Sequence, residues 1–355
     1  MKYIILIMSW QILNSSITIG TFQFAGVHEV RVKRNMNSLI ETATIVVPSI
    51  ATYVPKGKKT AVTTTTGTLF KDGDPVTIQL GYNGALNTEF QGFVKRRDLN
   101  MPLTIECEGY SYVLRQNSLS GLYKSIDVKT LLEKATAGTG ITVQCNVSAT
   151  YVNVPLNQNN GLQICDFIKN FSDGALTCFF INPTTLWCGL PYTAIAGGKA
   201  EFGLPQVNYE LGYNTIKDNG LKERIPSDPV QVILNGKFTT EQRVFTQSMY
   251  KSAKRKLKSL LNHVADNGSI QQYAQEKEYL NNYVGYEGNI NAFLMPFCGP
   301  GYMTNVVDDR YKERNGVYLV EGVDVTYGVK GARRSVNLGP QLNFGQNYLN
   351  ALTDG

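Results

Sequence analysis

The sequence predicts a mainly β protein that carries one small α/β insertion. Three observations lead there. Thirty-three glycines and twenty tyrosines, with abundant Thr, Val and Asn, suit strands joined by tight turns. Apolar and polar residues alternate over short runs early and late in the chain, the period of a half-buried strand. The clearest helix caps fall between those regions, from Ser125 to Gly174.

Taken in order, Met1 to Met8 is apolar and imitates the start of a signal peptide. It is too short to span a bilayer and lacks a cleavage site, so no export signal is expected, and Met8 is an alternative start. Phe22-Gln23-Phe24, Val30 to Lys33 and Thr42 to Val47 read as strands, the last stopped by Pro48. Tyr53 to Thr68 is a polar excursion, either a mobile loop or an extended hairpin arm; Lys56, Lys58, Lys59, Thr63 and Thr64 are its candidate contact residues. Gly73-Asp74-Pro75 is a turn, Val76 to Leu80 a strand, and Asn83-Gly84 a hairpin signal. Phe90 to Val94 and Leu103 to Cys107 continue the meander, so this region forms one antiparallel sheet, closed or folded over a core.

Asp127 is placed to cap a helix over Val128 to Ala135, and Asn160 a second over Leu162 to Phe171. Between them Ile141 to Val143 is a strand, and Leu176 to Ile181 pairs with Leu186 to Leu190 across Asn182 to Thr185. After Tyr209 strands return, with Val230 to Leu234 the clearest. Lys251 to Leu261 reads as a basic helix with a solvated face.

The early and late β regions echo each other. Gly73, Tyr82 and Gly92 in one correspond to Gly301, Tyr311 and Gly322 in the other, each set giving a glycine turn, a strand, a polar hairpin and a strand with a central glycine. Such a glycine marks a bulge, a tight bend or a close backbone approach. Gly73, Gly84, Gly92, Gly301 and Gly322 are therefore the expected structural glycines.

Chemistry is scarce. The 355 residues are 43% hydrophobic and 17% charged, a folded chain of two or three domains. A net charge of +6 with dispersed Lys and Arg does not argue for a nucleic-acid partner. Six cysteines without a CxxC pair read as buried hydrophobes, not a zinc or disulfide framework. Two histidines, His28 and His263, sit in no metal or catalytic pattern, and Asp308-Asp309 reads as a turn. No cofactor, metal or catalytic residue is predicted.

The ordered segments Gly73 to Val76, Gly81 to Gly84, Phe90 to Val94, Ile105 to Glu108, Gly299 to Gly301, Gly316 to Val323 and Arg333 to Gly339 resemble baseplate hub proteins of contractile-tailed phages and related injection systems. The resemblance implies two tube-type antiparallel β-barrels, at 17–118 and 205–340, the second with a helical segment near 246–285. A peripheral α/β domain at 119–204 lies between them, with an N-terminal segment 1–16 and a tail 341–355. It also implies a homotrimer whose six similar units form a pseudo-six-fold ring. That ring joins the tail tube to the spike, contacts other baseplate proteins, and passes DNA or an effector without specific binding. The expected location is the virion tail baseplate, assembled in the host cytoplasm. Lys95, Arg96, Arg97, Arg333 and Arg334 are candidate partner-facing or lumen residues. The competing readings are a receptor- or glycan-binding surface module and a cell-wall hydrolase; the second needs a carboxylate or Cys–His pair in a cleft.

Overall fold

The computed structural model describes residues 11–24, 26–54, 59–192, 202–218, 220–226, 228–238, 241–244, 253–264 and 266–342. The apolar N-terminal run, Lys56, Lys58 and nearly all of the tail lie outside them.

The early region contains β1 (Leu13–Ile19), β2 (Phe22–Phe24), β3 (Glu29–Asn35), β4 (Ser38–Val47), β5 (Ile50–Tyr53), β6 (Val62–Thr65), β7 (Pro75–Tyr82), β8 (Ala85–Asp98) and β9 (Leu103–Glu108). The central stretch holds α1 (Ser111–Leu114), β10 (Ser118–Asp127), α2 (Val128–Ala135), β11 (Thr142–Cys145), β12 (Thr150–Asn160), α3 (Gly161–Phe171), β13 (Thr177–Asn182) and β14 (Thr185–Gly189). The late region adds β15 (Gln206–Glu210), β16 (Thr215–Asp218), β17 (Lys222–Arg224), β18 (Val230–Phe238), β19 (Glu241–Val244) and β20 (Arg255–Leu261). It closes with α4 (Asn267–Asn282), β21 (Gly285–Ala292), β22 (Met303–Val307), β23 (Gly316–Gly328) and β24 (Gly331–Leu342). No helix among the described residues is long and apolar enough to cross a membrane.

Local chemistry accounts for many of these elements. In β3, Val30, Val32 and Arg34 turn inward while Arg31 and Lys33 face solvent. Asp127 caps α2 by accepting from Thr130 N–H, and Asn160 with Gln163 forms a reciprocal capping box on α3. Asn83 and Gly84 both have positive φ, the two-residue turn that matches strand twist between β7 and β8.

The early and late strands belong to one sheet, not two barrels. Its main path runs β16-β21-β24-β23-β3-β4-β9-β8-β7-β1-β2, with β15, β17 and β22 branching from it. No strand pairing among the described residues returns the path on itself, so neither region closes. The reason lies in β3, which has two hydrogen-bonding edges. One is taken by β4 and the other by β23 of the late region, leaving none to close a barrel on its own side.

The repeat survives that correction as a strand order. Strands β3, β4, β7, β8 and β9 are arranged β7-β8-β9-β4-β3; β16, β21, β22, β23 and β24 are arranged β22-β23-β24-β21-β16. Both series are antiparallel throughout. The turns agree in detail. Gly73 N–H donates to Val94 O at 2.8 Å and Val94 N–H to Asp74 O at 2.9 Å; Gly301 N–H donates to Val320 O at 2.9 Å and Val320 N–H to Tyr302 O at 2.8 Å. Gly73 and Gly301 have φ of 88° and 86°. The register slips at Val94/Arg96 in one unit and Val320/Gly322 in the other. This alignment sets Gly92 against Tyr318 and Gly322 against Arg96, so the two strand glycines are not counterparts.

Two further differences concern the segment 230–274. The described part of the helix expected over Lys251 to Leu261 is a strand: β20 runs parallel to β18 over Arg255 to Leu261, and Lys251 lies outside the described residues. Leu257 and Leu261, four apart, share a face at either period, which is why a helix pattern fits them. β18, β20 and α4 also pack into the core of the central α/β stretch, with Leu131, Ile164 and Leu186 meeting Val232, Leu261 and Tyr273. The early strands share a second core around Ile45, Ile78 and Ile105, and the late strands a third around Tyr209, Ile290 and Val336.

Candidate assembly surfaces

The seam between the repeated units is closely built. β3 and β23 pair from Glu29 opposite Gly328 to Asn35 opposite Gly322. A Cβ on Gly322 would stand 3.0 Å from Arg34 O and 2.7 Å from Asn35 Nδ2; one on Gly328 would stand 2.4 Å from His28 O. At Gly92 a Cβ would lie 2.2 Å from Glu108 O. Gly92 and Gly328 need glycine because backbone approaches backbone, whereas the nearest atom at Gly322 belongs to the Asn35 side chain.

Beneath the seam, Arg334 of β24 meets Glu89 of β8 at 2.6 Å, and both side chains are buried. Arg334 also donates to Cys298 O at 2.7 Å and Leu294 O at 3.3 Å. Burial pushes the Glu89 carboxyl upward against the pull of Arg334. For Arg334 burial acts downward most strongly, but the charge and hydrogen bond of Glu89, with Cys298 and Tyr209, together outweigh it and the guanidinium stays charged. A second buried pair, Arg34 to Glu41 at 2.7 Å, flanks them. Arg334 therefore faces neither a lumen nor a partner: its fixed charge is enclosed and neutralised inside the chain. The partnership joins residues 245 positions apart, and no local pattern announces it.

The other basic candidates are interleaved with acids. Lys95 lies 3.2 Å from Glu108, Arg96 lies 2.9 Å from Glu106 and 3.2 Å from Asp98, and Arg97 lies 3.0 Å from Asp72. Arg97 also donates to Gly67 O at 3.2 Å and to Phe70 O. Glu108 further accepts from Arg115 and Ser111, each at 2.8 Å. Burial pushes its carboxyl up, but the hydrogen bonds from Arg115, Ser111 and Lys95 together hold it below its ordinary value. Arg333 is exposed and sits over the Phe293 ring at 5.7 Å.

The arm is a two-stranded hairpin, β5 against β6, with Thr63 opposite Thr52 and Thr64 opposite Ala51. The Thr52 and Thr63 hydroxyls are 2.9 Å apart, and Lys59 is exposed near the tip. Ile50 and Val62 are exposed on it, at 65% and 41%. Ser49 Oγ donates to Asn100 O at 3.1 Å, tying its base to the β8–β9 turn, where Leu99 and Met101 are 73% and 88% exposed. A cavity of 260 Å³ lies at this base, lined by Phe22, Phe24, Ile50, Tyr53 and Phe70 among others. The sequence placed this apolar surface only as a polar excursion.

Catalytic groups do not converge. Among the described residues no group of three His, Cys, Asp or Glu side chains is set to hold a metal. His28 is exposed, and His263 stacks on Phe171 at 4.2 Å with Nδ1 3.0 Å from Val152 O. Asp308 accepts from Arg310 N–H at 2.9 Å and Tyr311 N–H at 3.2 Å, as a turn residue does.

No family model matches the chain, and no curated protein does. Solved structures do. The tail protein from Neisseria meningitidis MC58 is 12% identical with a TM-score of 0.60, over 92% of this chain and 96% of that one. The 43 kDa tail protein of prophage MuSo2 from Shewanella oneidensis is 12% identical at 0.57, over 92% and 98%. An E. coli type VI secretion component with structural similarity to the T4 tail proteins gp27 and gp5 is 12% identical at 0.55, over 93% and 78%. At such identities the likeness is one of fold: this chain is folded like these two tail proteins and this secretion-system component.

Proposed function

We propose that the chain is a structural subunit of a phage-type tail baseplate hub, without catalytic activity. Three copies assemble into a ring that joins the tail tube above to the spike below and surrounds the channel through which DNA or an effector passes. The observation that carries this reading is the repeated strand unit, set within a fold shared almost end to end with tail proteins. Two units in each of three chains supply six similar positions around a three-fold axis, which fits a six-fold partner on one side and a three-fold partner on the other.

The intrachain seam supplies a pattern for the contact between chains. β16 and β17 stand in the late unit where β3 stands in the early one, and β8 stands where β23 does. Repeating the seam between neighbours sets β16–β17 of one chain against the Lys95 to Asp98 end of β8 in the next. The hairpin arm, with Lys59, Thr63 and Thr64 and its apolar base, is a second contact in this reading.

Mass measurement of the purified chain in solution tests it. The expected species is a trimer that nucleates tube rings. A chain that stays monomeric at micromolar concentration, or that binds glycans as a monomer, overturns the reading.

A further inference from the structure

The three-stranded sheet β11-β14-β13 lines up three of the cysteines. Cys145 stands beside Cys188 in the parallel β11–β14 ladder, and Cys178 stands opposite Cys188 in the antiparallel β13–β14 ladder. Register partners project to one face of a sheet. Cys165 of α3 packs into the same core as Cys188, with Cys145 and Cys178 against it. Thiol–thiol interactions run along the row from Cys145 to Cys188, Cys188 to Cys178 and Cys178 to Cys165. All of these thiols are free.

Neighbouring strands stand about 4.8 Å apart and directly opposed antiparallel residues about 4.5–5.5 Å, within the Cα separations of about 4.4–6.8 Å at which a disulfide closes. A row of four neighbours can be fully paired in one way, each end with the residue next to it. Each resulting pair holds one half-buried residue, Cys145 or Cys178, and one buried residue, Cys188 or Cys165. The row is extended rather than convergent, in keeping with the lack of a metal-holding group among the described residues.

We propose that these four thiols are an oxidation site that closes into two disulfides, Cys145–Cys188 and Cys165–Cys178. The half-buried member of each pair starts the exchange. Its thiolate attacks one sulfur of a small disulfide of the glutathione class and expels one small thiolate. The buried partner then gives its proton to solvent and attacks the mixed disulfide, expelling the second small thiolate. Each cycle oxidises two protein thiols and reduces one small disulfide to two thiols. The two bonds would staple β11 to β14 and α3 to β13. On the tail-hub reading the reduced form belongs to assembly inside the cell and the stapled form to the released particle; that assignment alone rests on the reading.

The test uses the full chain, exposed natively to oxidised glutathione, then denatured, alkylated and mapped by mass spectrometry. The expected result is four protected cysteines, peptides linked 145–188 and 165–178, and full reversal by a thiol reductant. Cys145→Ser, at a half-buried position, should lose the first link and keep the second with unchanged circular dichroism. Alkylation of all six thiols, a Cys178–Cys188 link, protection of Cys107 or Cys298, or stoichiometric zinc uptake by the reduced chain overturns the proposal. None of these results bears on whether the chain forms a trimer.

Discussion

At the scale of single residues, the buried charges decide most. Glu89 and Arg334 are enclosed together, so removing one leaves the other charged without a partner, a loss of about 3–5 kcal/mol. Arg334→Met should therefore lower unfolding free energy by that amount in a denaturant titration. The double variant Arg334→Met with Glu89→Gln should recover part of it, because no charge remains buried. Glu89 and Glu108 have opposite pH signatures. The Glu89 carboxyl is raised, so the folded chain binds its proton more readily than the unfolded chain, and its contribution weakens as pH rises through the carboxyl range. Glu108 is lowered, so its contribution is complete above the ordinary carboxyl value of 4.5 and is lost as pH falls through its depressed one. Glu108→Gln should cost about 1–3 kcal/mol near neutral pH, with the difference from the parent chain shrinking below pH of about 4. Thermal unfolding at several pH values reads this directly; a difference independent of pH would place the effect elsewhere.

At the scale of elements, caps and edges carry the argument. Asn160 and Gln163 satisfy each other's backbone groups at the start of α3. Asn160→Ala should cost about 1 kcal/mol, seen as a lower denaturation midpoint with unchanged slope. The β5–β6 hairpin has only four paired positions, and an isolated hairpin of that kind is marginal in water. Its exposed Ile50 and Val62 contribute little to the monomer but would present apolar surface to a neighbour in the proposed ring. The pair Ile50→Ser with Val62→Ser should leave the monomer's unfolding within about 0.5 kcal/mol and weaken trimer association by tenfold or more in sedimentation. An unchanged association constant would remove the arm from the interface.

For the whole molecule, the seam is the feature with the widest consequence. It joins the two repeated units inside one chain, and its counterpart edges are β16–β17 and the end of β8. Arg96→Cys combined with Arg224→Cys should give chain-to-chain disulfides that trap covalent trimers. Trimers that form without this cross-link would exclude the repeated seam while leaving the oligomer intact. A chain that forms no trimer at all would end the hub reading itself.

The local elements were largely legible in the amino-acid order because their causes are local. Asp127 and Asn160 bond to N–H groups three residues away, Asn83-Gly84 needs only its own dihedral freedom, and Val30 and Val32 follow the pleat. The repeat was legible only at Gly73 and Gly301, whose turn conformation is a property of those residues; Gly92 and Gly322 are not counterparts. Helices α2 and α3 fall where their caps predict, but β20 reads as a helix, because leucines four apart satisfy both helical and strand periods. Closure was beyond reach for a different reason. Which edge of β3 meets which strand is a choice among partners hundreds of positions away, and strand edges carry no side-chain code of their own. The Glu89–Arg334 pair and the thiol row share that origin: each exists only because distant strands settle into one register, and only the folded chain makes that choice.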